Sequence, residues 1–145
     1  MKWVLERFVE RGRSYDSVCL ILPTAPLIDA EDVRQVSMLY DSYKGRFGVL
    51  AVSVMPCPVE WTLRLGPDAR IAMVDPENAF RRSQDLGMAY YDTDTIAFFP
   101  AVNVLTHPRA QTEFVGYVLP RYKALDIDNP EDLELGLRLY RGRKS

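Results

Sequence analysis

Residues Ser17 to Met55 read SVCLILPTAPLIDAEDVRQVSMLYDSYKGRFGVLAVSVM. SVCLILP (Ser17–Pro23) is a continuous apolar run, the pattern of a strand covered on both faces. TAPLIDAEDV then turns into a helix. Asp29 stands at the N-cap, Val33, Val36, Leu39, Tyr40 and Tyr43 recur at helical spacing, and Gly45 closes it. FGVLAVSVM (Phe47–Met55) is a second buried strand. Strand, helix and strand in this order make a βαβ unit, which predicts a parallel sheet with a right-handed crossover. The chain is therefore placed in the α/β class.

Outward from that unit, Met1–Arg11 carries Trp3, Val4, Leu5, Phe8 and Val9 at helical spacing, closed by Gly12, with no capping residue before it. ARIAMVD (Ala69–Asp75) and TIAFFP (Thr95–Pro100) read as strands, PAVNVL from Pro100 as a short helix, and FVGYVLP (Phe114–Pro120) as the last apolar run. PCPVEWTLRL is broken by prolines and reads as irregular. PENAFRRSQDLGMAYYDTD reads as loop with weak helical character. No repeat or linker interrupts the pattern, so one domain spanning 1–145 is expected.

Of the 145 residues, 48% are apolar, enough for a sizeable core. The net charge of −2 and pI near 5.4 offer no basic field for nucleic acid or for a polybasic membrane contact. Most of the cations are arginine, which suits bidentate recognition of carboxylate and phosphate. Cys19, in an apolar strand, is expected to be an inert core thiol. Cys57, between Pro56 and Pro58, is expected to be more exposed, with no histidine or second cysteine beside it for metal or redox chemistry. With no signal-peptide pattern and no apolar run long enough to span a bilayer, a cytoplasmic protein is expected.

Four places carry candidate chemistry. In ALDIDNPEDLELGLRLY (Ala124–Tyr140), Asp126 and Asp128 stand two apart on what reads as a strand end, so both carboxylates share a face. A Mg²⁺ site is one reading; an exposed Asp128 beside an ordinary turn aspartate is the other. Asn129 then caps a helix that has Pro130 at its first position and Glu131 and Asp132 in its first turn. In RRSQDL, the forks of Arg81 and Arg82 beside Gln84 suit a carboxylate-bearing, hydroxyl-rich ligand, or form a solvated loop. Thr24, in LPTAPL at the end of the first strand, lies where open α/β sheets bind ligands, unless its prolines serve only to stop the strand. Tyr90, Tyr91 and Asp92 line the same cleft or serve packing, and His107, alone before Pro108, reads as a loop residue.

Taken in order, YDSVCLILPTAPLIDAEDV, AVSVMPCPVEWTLRL, RRSQDLGMAYYDTD and VLPRYKALDIDNPEDLELGLRLY resemble the CMP-sialic acid synthetase family, and within it the pseudaminic acid cytidylyltransferase branch. The resemblance implies a three-layer, Rossmann-like nucleotidyltransferase sheet with flanking helices. It implies CTP-dependent activation of a nine-carbon acidic sugar, giving a CMP-sugar and pyrophosphate. It assigns Mg²⁺ to Asp126 and Asp128, and substrate binding to Thr24, Arg82, Gln84 and Arg121; no catalytic residue is assigned.

Two departures accompany it. The family's opening strand and its glycine-rich, basic loop of the type A-R-G-G-S-K-R-I-P, which cradles the triphosphate, do not occur in these residues; ERGRS and YKGRF read as helix ends instead. The expectation is a truncated fold lacking the N-terminal strands, inactive alone. The Ser17–Pro23 strand would then be an apolar edge, covered by a homo-oligomer or a complementing chain through that edge or through Trp3, Leu5 and Phe8. A non-catalytic oligomerising or acidic-sugar-binding module is the alternative. The second departure is at Asp94 and Thr95, where the branch carries glycine and glutamine.

Overall fold

The computed structural model describes residues 1–106 and 113–142, so His107 lies outside the described residues. The chain divides into two compact units, Met1–Val52 with Asp92–Ser145, and Ser53–Tyr91.

The first unit is a mixed sheet between two layers of helix. Its elements are α1 (Lys2–Glu10), β1 (Ser17–Ile21), α2 (Ala30–Ser42), β2 (Gly48–Val54), β5 (Tyr90–Pro100), α3 (Ala101–Thr106), β6 (Phe114–Val118) and α4 (Pro130–Gly142). The strand order is β1-β5-β2-β6. β2 and β6 run parallel, Gly48 opposite Phe114 and Val52 opposite Val118. β1 and β5 run antiparallel, Ser17 opposite Pro100 and Ile21 opposite Ile96.

The sheet is therefore mixed, where the βαβ pattern predicts a parallel one. β1 and β2 are not neighbours, because β5 stands between them. Its stretch Thr95, Ile96 and Ala97 is buried at three successive positions, which means that both faces are covered and an interior place in the sheet is required. β1 takes an edge instead, and its Cys19 and Ile21 are exposed. Cys19 is thus no core thiol: the edge position leaves it open.

Successive side chains of β5 feed opposite layers, as strand alternation requires. Ile96 and Phe98 join Val36, Tyr40, Val49, Ala51 and Leu119 under α2. Phe99 joins Leu5, Ala101 and Val104 under α1 and α3. Leu5 is therefore core, not part of an open face, while Trp3 remains 68% exposed and Phe8 stacks edge-on against Tyr15 at 5.2 Å.

β5 starts at Tyr90 rather than Thr95. Asp92–Asp94 falls in the stretch that reads as loop with weak helical character, yet it is a kink within the strand. Asp94 has φ +49°, its N–H donates to Asp92 Oδ1 at 3.1 Å, and the buried Thr93 hydroxyl donates to the Ala51 carbonyl at 2.9 Å and so accepts from the Thr95 hydroxyl at 2.8 Å. The left-handed conformation is one that glycine adopts freely and aspartate tolerates. Asp94 thus takes a positive φ that glycine would adopt at less cost.

The second unit holds a hairpin, β3 (Leu63–Leu65) with β4 (Ile71–Met73). The segment PCPVEWTLRL is not irregular throughout: a single 3₁₀ turn, Val59–Trp61, leads into β3. Leu63 opposes Met73 and Leu65 opposes Ile71, and all four side chains are exposed. The Trp61 indole N–H donates to the Arg81 carbonyl at 3.2 Å, tying the hairpin's start to the arginine loop.

The kink in β5 yields a stability test. Asp94→Gly should be neutral or stabilise by up to about 1 kcal/mol, whereas Asp94→Val should cost roughly 1–2 kcal/mol. Urea melts of the two variants beside the parent chain measure both.

Candidate functional site

After β1 the chain makes a tight, proline-bounded loop. Leu22 N–H donates to the Thr95 carbonyl at 3.0 Å, and Ala25 N–H turns back to the Leu22 carbonyl at 3.1 Å. Leu27 is fully buried and anchors the loop. The loop ends in a capping box. Asp29 Oδ1 accepts from the N–H groups of Glu31 and Asp32 at 3.0 and 3.2 Å, and Asp32 Oδ2 accepts from Asp29 N–H at 2.9 Å.

The turn after β6 is drawn onto this cap by one side chain. Lys123, with 12% of its side chain exposed, places its ammonium 2.7 Å from both Asp29 and Asp32. Tyr117 adds a hydrogen bond from its hydroxyl to Asp32 Oδ1 at 3.2 Å. The hydrogen bond from Lys123, opposed by burial, lowers the Asp29 carboxyl to about 2. For Lys123, burial works against the charged form, but the hydrogen bonds to Asp29 and Asp32 outweigh it and raise its pKa. Sequence reading missed this cluster, since its members lie more than ninety residues apart. The only local signal was an aspartate in the first turn, which also satisfies a cap.

Once held by Lys123, the chain from Ala124 runs back along the loop. Ile127 N–H donates to the Thr24 carbonyl at 3.0 Å. Ala124–Asp128 is not a strand, because its pairing with the loop rests on that single bond rather than on a ladder. Asp126 and Asp128 are thus positioned by an extended segment, not by strand alternation. Asp128 is exposed, and its N–H donates to Asp132 Oδ2 at 3.2 Å. Asp126 Oδ1 is buried and has no hydrogen-bond partner.

Behind the pair, α4 begins as its sequence predicts. Asn129 Oδ1 accepts from the N–H groups of Glu131 and Asp132 at 2.9 and 3.1 Å, and Asp132 Oδ2 accepts from Asn129 N–H at 3.2 Å. The helix is seated through Gly136, where an added Cβ would lie 3.2 Å from Leu125 and 3.5 Å from Ile127. A side chain there would require the Leu125 methyl to give by a few tenths of an ångström.

A buried, orphaned carboxylate oxygen is costly unless something meets it. The donor chemistry here, two carboxylates and no nitrogen or sulfur, is that of a hard divalent cation such as Mg²⁺. Among the described residues no group of three or more His, Cys, Asp or Glu side chains is placed to hold a metal ion.

Thr24 and Asp126 are brought together by the Ile127 bond. Arg121 is exposed in the turn that precedes Lys123. Arg82 and Gln84 belong to the second unit. There Arg82 caps a one-turn 3₁₀ helix, Ser83–Asp85, and its guanidinium forks onto Asp85, Nε to Oδ2 at 2.9 Å. Arg81 braces the same loop by donating to the Asp85 carbonyl at 3.0 Å. Gln84 is exposed, as is Cys57, in line with its sequence. Tyr90 donates to Met88 Sδ at 3.2 Å.

Replacing Lys123 by methionine should destabilise the chain by about 3–5 kcal/mol, because Asp32 would be left buried and uncompensated; chemical denaturation at neutral pH reads this. The pH dependence has a definite sign. The depressed Asp29 carboxyl contributes stability above its ordinary value of 3.8, lost as pH falls toward about 2. The raised Lys123 contributes below 10.5, lost as pH climbs past it. Melts across these ranges should show a plateau with two falling limbs, and the acid limb should shrink in Lys123→Met.

No family model matches the sequence. Two curated proteins do, both pseudaminic acid cytidylyltransferases of Campylobacter jejuni subsp. jejuni, from serotypes O:2 and O:23/36. Each is 27% identical over 142 residues, covering 94% of this chain and 59% of the relative. The chain thus spans about three-fifths of the length of the curated relatives it matches. Across that span, the chain is a partial match to the pseudaminic acid cytidylyltransferases.

Proposed function

We propose that this chain carries the metal-binding and acidic-sugar-binding parts of a cytidylyltransferase-type site, for a reaction that joins CTP to a nine-carbon acidic sugar. The observation that carries the reading is the buried, unpartnered Asp126 Oδ1, held beside the Thr24 loop on a segment that matches the relatives' span. Asp126 and Asp128 hold Mg²⁺ in this reading. When bound, the cation neutralises the charge on a triphosphate. Arg82 offers its fork, and Gln84 its amide, to the sugar's carboxylate and hydroxyls. Thr24 and Arg121 are the further polar groups available to substrate.

The triphosphate needs a nest of backbone N–H groups, and the 145 residues contain no glycine-rich, basic loop of that kind. We therefore place that loop outside them, supplied by further polypeptide. A second, non-catalytic reading, an acidic-sugar-binding or oligomerising module, draws support from the same gap and from the exposed apolar surfaces. β1 is an edge strand, Trp3 is open, and Leu65 and Ile71 of the hairpin are 73% and 64% exposed. A homo-oligomer or complementing chain covering such surfaces belongs to either reading.

Calorimetric titration of the chain with a nonulosonic acid, CTP and CMP, each with and without Mg²⁺, tests the reading. Acidic sugar should bind, and Arg82→Ala should weaken it roughly tenfold or more. CTP should not bind until the loop-bearing polypeptide is added, and should then require Mg²⁺ and fail with Asp128→Ala. Sugar binding that is absent, or indifferent to Arg82, would sink the sugar assignment. Saturable Mg²⁺-dependent CTP binding by the chain alone would show that no further polypeptide is needed.

A further inference from the structure

Among the described residues β1 ends the sheet, and the bonds at its two ends fix which of its backbone groups are already used. Ala101 N–H donates to the Asp16 carbonyl at 2.9 Å, and Leu22 N–H donates to the Thr95 carbonyl at 3.0 Å. Both bonds belong to the register that sets Ser17 opposite Pro100 and Ile21 opposite Ile96. Hydrogen-bonded and non-hydrogen-bonded pairs alternate along an antiparallel ladder. Val18 and Leu20 therefore turn their N–H and C=O groups to β5, while Ser17, Cys19 and Ile21 turn theirs to the open edge. Pro100 agrees with this phase: it has no N–H, and it stands opposite Ser17 at a pair that exchanges no bonds.

The strand SVCLI carries no charge and no proline, the features that blunt sheet edges against pairing. Cys19 is exposed, and Ile21 is 47% exposed. An apolar groove of about 470 Å³ runs beside the strand, with Val4 and Phe8 of α1 on one side and Val18 and Leu20 of β1 on the other. This edge is complementary to itself. When two β1 strands pair antiparallel, one register alone engages all the outward residues: Cys19 opposite Cys19 of the second copy, flanked on each side by Ser17 opposite Ile21. No charge on either strand opposes that alignment, and a net charge of −2 gives two copies little repulsion. We propose that the chain forms a two-fold symmetric dimer by pairing β1 with β1 of a second copy about Cys19, which joins the two sheets into one. Continuation of the strand layer also extends the floor of the apolar groove into the second copy. The contact is isologous, so it uses the β1 edge of both copies and closes at two. It is independent of the acidic-sugar reading.

Position 19 gives the test, because in this register it faces itself and in no other arrangement of the edge does it do so. Sedimentation equilibrium of the parent chain should show a dimer. Cys19→Lys and Cys19→Glu each set like charges directly opposite one another, so each variant alone should dissociate with a constant raised about tenfold or more. An equal mixture of the two should restore a one-to-one dimer, while circular dichroism of each stays that of the parent. A second measurement leaves β1 unaltered. Cys57→Ser keeps Cys19 as the sole cysteine, and a short bismaleimide should then join two copies covalently, since side chains at opposed positions share a face. A chain that stays monomeric at every concentration, or that gives no cross-linked dimer through Cys19, would overturn the proposal. So would a dimer indifferent to the single charges, a mixture that fails to reassociate, or species that grow beyond two copies by adding β1 to a different edge.

Discussion

A single ammonium group holds the candidate metal segment in place. Lys123 meets Asp29 and Asp32 at 2.7 Å, and in doing so joins the start of α2 to the turn that follows β6. Asp32 is almost wholly buried, so its charge is tolerable only because the lysine, the Tyr117 hydroxyl and the Asp29 amide all converge on it. From that fixed point the chain has four residues to reach Ile127 and its bond to Thr24. Asp126 lies inside this short, doubly anchored span. Its Oδ1 is buried without a partner between those two anchors.

The two units differ in chemistry. The first has a buried ion-pair anchor, Lys123 with Asp29 and Asp32; the second has the arginine loop, with Gln84 exposed beside it. The Arg82 fork is already engaged by Asp85, which holds the guanidinium in one orientation in the absence of any ligand. The pair is open to solvent, though, so its Coulombic strength is modest.

Much of the architecture was legible from local pattern. α2 was readable because Asp29, its periodic apolar face and Gly45 all agree, and α4 because Asn129, Pro130 and two acids stand at its start. The parallel sheet was misread for a topological reason: a βαβ pattern reports that two strands share a sheet, but not whether a third is inserted between them. The DID segment looked like a strand because its apolar residues alternate with aspartates, yet among the described residues it meets that loop through one backbone bond, Ile127 N–H to Thr24, and not through a ladder. Asp94, where the resembled branch carries glycine, has a positive φ that no local sequence pattern announces. The Lys123 cluster left almost no trace in sequence, since a distant lysine and a capping aspartate each have ordinary local explanations.

The position of β5 has a consequence for how the chain comes together. β1 is complete by Ile21 and β2 by Val54, but the strand that separates them ends at Pro100, so the early βαβ segment has no native sheet partner within itself. During synthesis it must remain unpaired until residues far downstream have left the ribosome. Such long loop closures slow folding and prolong exposure of apolar strands. A protein wired this way places its slowest folding step at the closing of its centre, with the edge added to a strand that arrives late.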